Sequence, residues 1–143
     1  MRLFLDTSSL IKLYHEEPDS KSVDAVLDSG LVSSIILSDL SRVELLSALW
    51  KKRRTGELTD EIVREIIYLF DQDASQYKFV PITEDIIEDA CNFLSKYGVI
   101  GLRSLDSIQL ATAIALKQEA DLFLTSDTLL KSLLKQEQLR TDF

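Results

Sequence analysis

Cysteine and histidine each occur once in these 143 residues, proline twice and glycine four times, and each shortage excludes something. The lone Cys91 has no partner for an internal disulfide, and in Asp89-Ala90-Cys91-Asn92-Phe93 it reads as a small core thiol on a helix. His15, beside Glu16 and Glu17, reads as a solvated helix-end residue, so no Ser-His-Asp arrangement follows from it. Too few glycines are present for a Gly-x-Gly-x-x-Gly or Walker loop, which sets aside dinucleotide and nucleoside triphosphate binding in their usual modes. Apolar stretches run only a few residues, against the ~20 that a membrane-spanning helix requires, so no membrane partner is expected. In Met1-Arg2-Leu3-Phe4-Leu5-Asp6 an acid interrupts the apolar run that a secretory signal needs, and the expected location is cytoplasmic.

Basic charge is short too. With 16 Lys and Arg against 24 Asp and Glu, the formal net charge is -8, which argues against a broad basic surface gripping nucleic acid. That objection weakens where acids are gathered at a metal site, because divalent cations offset their charge and attract phosphate.

What is present is apolar content of 45%, enough for one core and too little for two ordinary domains, so residues 1–143 are expected to form a single unit. Short apolar runs alternate with helical periodicity, which predicts an α/β fold with helices over a mostly parallel sheet. Leu3-Phe4-Leu5 reads as the first strand and Leu31 to Leu37 as the second. Phe79-Val80-Pro81-Ile82 reads as a third strand, placed at a strand end or sheet edge by its proline, and Asp121 to Thr125 as a fourth. Helices are expected after Asp6, over Val23 to Leu27, from Ser38–Ser41 to the stop near Gly56, from Thr59, from Thr83, from Ser104 and from Ser126-Asp127.

In an open parallel sheet, ligands bind beyond the carboxyl ends of the strands. Asp6 directly follows the first strand, Asp127 comes just after the fourth, and Glu44 lies in the first turns of the helix after the second. Asp106, in the first turn of an apolar helix feeding the fourth strand, reaches the same end if that helix starts there. Carboxylates with open positions are what magnesium or manganese takes, and such a site activates water and holds a scissile phosphate. Each acid also has a plainer reading. Ser41-x-x-Glu44 is a capping-box pattern, Asp127 suits a helix cap, and Asp106 suits a helix dipole. Arg42 and Arg103, near these acids in sequence, are candidates to touch phosphate or to pair with a carboxylate, and the Lys51 to Arg54 run is either a guide for RNA or a solvated helix end.

Four stretches in order, Leu3-Phe4-Leu5-Asp6-Thr7-Ser8, Ser41-Arg42-Val43-Glu44-Leu45, Leu105-Asp106-Ser107-Ile108-Gln109-Leu110-Ala111 and Leu124-Thr125-Ser126-Asp127, together resemble the PIN domain. Length and spacing are most similar to the VapC-type toxins of toxin-antitoxin pairs. The resemblance spans residues 1 to about 130. It implies a three-layer α/β/α fold with a short, mostly parallel sheet of four to five strands, and RNA cleavage dependent on magnesium or manganese. It also implies a cognate antitoxin and a homodimer. By position, Asp6, Glu44 and Asp106 match the family's three principal acids, Asp127 its more variable fourth, and Thr7 and Thr125 its site-orienting hydroxyls. A non-catalytic PIN-like binding module, or a nuclease acting outside a toxin system, shares these residues. Leu133 to Phe143 departs from the pattern that leads to a final strand.

Overall fold

Consecutive apolar residues are all buried on a strand only when the sheet is covered on both faces, and Leu3, Phe4 and Leu5 are all buried. In the computed structural model, which describes residues 1–143, they form strand β1 (Arg2–Leu5). Strands β2 (Ser34–Ser38), β3 (Tyr77–Val80) and β4 (Leu122–Leu124) complete one sheet in the order β3-β2-β1-β4, with every pairing parallel. Phe4 stands opposite Ile36 on one side and Phe123 on the other.

The pleat sends neighbouring side chains to opposite faces, which makes three layers. Leu3, Leu5, Leu37 and Leu122 pack with residues of the helices α1 (Thr7–Leu10), α2 (Lys21–Asp28), α3 (Leu40–Arg54) and α4 (Asp60–Asp73). Phe4, Ile36 and Phe123 pack on the other face against α5 (Glu84–Tyr97), α6 (Ser104–Ala115) and α7 (Thr128–Gln136). The expected α/β/α sheet with four parallel strands is what the chain forms, and its helix starts follow capping chemistry. Thr59 and Thr83 each accept the backbone N–H of the third residue on, from Ile62 and Ile86.

Some local expectations need correction. The second strand starts at Ser34 rather than Leu31, because Leu31 is turned outward and its carbonyl accepts from the Met1 amine at 2.7 Å. Ser104 is the first residue of α6 and not its cap; Arg103 holds the extended cap position without a side-chain bond. Cys91 lies on the exposed side of α5, since Ile86 and Ala90 take the buried positions. After α7 no fifth strand forms, yet the tail runs beside β4: Phe123 N–H donates to the Arg140 carbonyl at 2.9 Å, and Leu139 and Thr141 are buried. No helix is long and apolar enough to cross a membrane.

Candidate active site

The parallel order brings the carboxyl ends of β1, β2 and β4 to one edge, and the first residues beyond them carry the chemistry. Asp6 leaves β1 with an extended backbone and caps α1, its Oδ1 accepting from Ser9 N–H at 3.0 Å. Thr125, just beyond β4, donates its hydroxyl to Asp6 Oδ2 at 2.6 Å, and Ser8 Oγ donates to the same carboxylate at 2.8 Å. Ser126 N–H donates to Ser8 Oγ at 2.9 Å, tying the β4–α7 turn to the start of α1.

Glu44 is not engaged in a capping box. Asp39 stands at the cap position of α3, and Glu44 Oε1 instead accepts from Thr7 Oγ1 at 3.0 Å and from Gln109 Nε2 at 2.8 Å. Ser41, the other half of that pattern, is buried, and its hydroxyl accepts from the same Gln109 amide at 3.1 Å. Thr7 and Gln109 thus bridge α1, α3 and α6 beneath the edge. Asp106 lies half-buried one turn before Gln109. Asp127 is exposed and caps α7 through Leu130 N–H at 2.7 Å.

Charge joins what distance in sequence separates. Burial pushes the Asp6 carboxyl up to about 6, against the lowering pull of its hydrogen bonds from Thr125, Ser8 and Ser9, and the Glu44 charge pushes the same way. The Asp106 carboxyl is raised by burial, then by Asp127 and Glu44, with Arg103 opposing. All four acids predicted from sequence therefore share one field. As their side chains stand, no three Asp, Glu, His or Cys groups converge tightly enough to ligate a single ion. Like charges repel, and a cation is what draws such a set together. The donor set fits a hard divalent ion in chemistry: all oxygens, two of them on carboxyls raised by burial and mutual repulsion. The buried Gln109 Oε1 among them has no hydrogen-bond partner.

Of the two arginines, Arg42 is held at the β3 edge, its guanidinium 3.9 Å over the Phe79 ring and 3.2 Å from Asp39. That pairing occupies the group expected to meet phosphate. Arg103 lines a cavity of about 360 Å³ together with Glu44 and Asp106. Thr7 and Thr125 both hydrogen-bond a site acid, whereas Gln109, Ser8 and Lys12 escaped the reading of the sequence. Gln109 had a signal, standing one helical turn after Asp106. Lys12 had none: its amine is buried, bonds Ser126 Oγ and lies 2.6 Å from the Asp19 carboxylate, holding the turn that carries Thr125 and Asp127.

Comparison with known proteins agrees with this layout. The PIN domain family model matches residues 3–134. Ribonuclease VapC47 of Mycobacterium tuberculosis (strain CDC 1551 / Oshkosh) is 32% identical over 127 residues, 87% of this chain and 84% of that protein. Among solved structures, Mycobacterium tuberculosis VapC20, described as a sarcin-ricin loop cleaving toxin, superposes with a TM-score of 0.69 at 16% identity, covering 92% of this chain and 94% of that one. VapBC2 from Rickettsia felis, bound to a DNA fragment from its promoter, gives 0.66 at 17% identity, over 99% and 98%. FitAcB from Neisseria gonorrhoeae gives 0.66 at 19% identity, over 99% and 96%. Sheet order, helix layers and the match over nearly all its length make this chain a member of the PIN domain family.

Proposed function

We propose that this chain is a metal-dependent endoribonuclease, the toxin of a toxin-antitoxin pair, with its chemistry carried by Asp6, Glu44, Asp106 and Asp127 in one PIN unit. The observation that carries the reading is geometric: at one sheet edge Asp6 is held by Thr125 and Ser8, Glu44 by Thr7 and Gln109, and Asp106 lines a cavity with Glu44. Magnesium or manganese held there supplies a Lewis acid and an activated water for phosphodiester hydrolysis. The chain's own residues do the rest. Thr125 and Ser8 fix the Asp6 carboxylate, and Thr7 and Gln109 fix Glu44, so that neither acid rotates away from the edge. Arg103, beside Asp106, offers a cation to the phosphate oxygens of bound RNA. The toxin assignment and a cognate antitoxin partner draw on the relatives, whereas a homodimer and a cytoplasmic setting are carried over from the sequence.

Purified protein is expected to cut single-stranded RNA with manganese or magnesium, to stop when a chelator is added, and to lose nearly all activity in Asp6→Asn. Full activity in that variant, or in chelator, overturns the assignment. The spread of the acids favours a second reading, a PIN-like module that binds RNA or protein without cutting; cleavage that a chelator abolishes rejects it.

A further inference from the structure

The side of α3 that begins at Glu44 continues through Ser47, Ala48 and Lys51 to Arg54, and all five line one open cavity of about 630 Å³. A helix rises ~1.5 Å per residue, which puts Lys51 ~10 Å and Arg54 ~15 Å beyond Glu44 along its axis. Pairing splits the basic run in two. Lys52 is held by Glu17 at 2.6 Å and Glu57 at 2.7 Å, and Arg53 by Asp60. Lys51 and Arg54 are exposed and pair with no carboxylate. Glu17 and Glu57 also line the cavity, and Lys52, paired with both, offsets one of their two charges, while the other two cations pair with neither. At the opposite end, Thr7, Ser8, Glu44 and Ser126 join the same cavity to the acids.

We propose that this groove is a subsite for single-stranded RNA flanking the cleaved bond, with its phosphates running along α3 from Glu44 to Lys51 and Arg54. The proposal rests on the ribonuclease reading and adds a direction to it. Carboxylates at one end and unpaired cations at the other suit a polyphosphate strand whose reacting phosphate meets a divalent ion and whose neighbours meet side chains. In a chain of net charge -8, a polyanion is repelled over most of the surface, so two free cations leading away from the site decide its path. A stacked strand advances ~3.4 Å per nucleotide, so the ~15 Å from Glu44 to Arg54 spans about four. Val43 and Leu105, 69% and 49% exposed beside the same cavity, offer apolar surface to bases.

The test uses Lys51→Ala/Arg54→Ala, a surface double variant, in two backgrounds. With Asp6→Asn to prevent cutting, binding of a fluorescein-labelled single-stranded RNA is followed by anisotropy across a salt series. Loss of two phosphate contacts is expected to weaken binding about tenfold and to reduce the salt slope by about 1.4. With the acids intact, the unmodified chain is expected to cut faster as RNA is lengthened on one side of the mapped bond, up to about four nucleotides, and the double variant to gain nothing from that extension. Unchanged affinity and slope overturn the subsite, as does an equal loss at every length or equal competition by duplex DNA. Metal-dependent cutting indifferent to Lys51 and Arg54 sinks the subsite alone. RNA binding that needs both cations, without cutting in any metal, sinks the nuclease reading and with it the cleaved bond that the subsite was to flank, leaving only an RNA-binding groove on α3.

Discussion

Asp6 performs two tasks that pull against each other, since capping α1 needs only an acceptor whereas holding a cation needs a charge. Burial lifts its carboxyl from 3.8 to about 6, so within that window the native chain binds more protons than the unfolded one. Stability then falls as pH rises from about 4 to 6, by about 3 kcal/mol once the group is ionised. The raised Asp106 carboxyl acts in the same direction. Asp6→Asn keeps a capping acceptor and removes the charge. Thermal melts in chelator are expected to show this variant about 5–10 °C more stable than the unmodified chain at pH 7.5 and level with it near pH 4. A lower melting temperature at pH 7.5 contradicts the burial account of Asp6. How legible such residues were follows the same logic. Asp6 and Asp127 stood out because strand ends and caps are local patterns. Lys12 acts through a partner 114 residues away, which no local periodicity records.

Among the elements, α7 separates structural from chemical duty most cleanly. Asp127 caps it through Leu130 N–H and raises the carboxyl of Asp106. Asp127→Ser retains a cap and loses the charge, so RNA cleavage is expected to drop with stability nearly unchanged. Asp127→Ala is expected to lose about 1 kcal/mol as well, read from urea denaturation. Equal stability in the two variants contradicts the capping role. Element starts were well marked in the sequence where a side chain caps, as at Thr59, Thr83 and Asp127, and poorly marked where none does. Leu31 belongs to an apolar run yet lies outside β2, because the Met1 amine takes its carbonyl. Arg103 replaced Ser104 as the cap of α6 because an extended backbone alone sufficed there.

Across the whole molecule, the sheet separates two cores and one residue type bridges the strands on the α5–α7 face. Phe4 and Phe123, ring centroids 5.8 Å apart, are buried against α6 and α7. Phe123→Ala is expected to cost about 3–5 kcal/mol in denaturant, with loss of RNA cleavage following loss of fold. A cost under about 1 kcal/mol contradicts the placement of that core. The layer order was readable because buried parallel strands carry apolar residues on both faces. The tail beyond α7 was not, since one backbone bond from Phe123 to Arg140, the burial of Leu139 and the pairing of Asp142 with Lys131 and Lys135 hold it without a strand pattern. Whether the acids at the sheet edge act together is tested most directly by calorimetric titration of the metal-free chain with manganese at pH 7.5. Saturable binding is expected in the unmodified chain, weakened at least about tenfold in Asp106→Asn and in Asp6→Asn. Binding of equal strength in all three, or in none, contradicts a shared carboxylate centre.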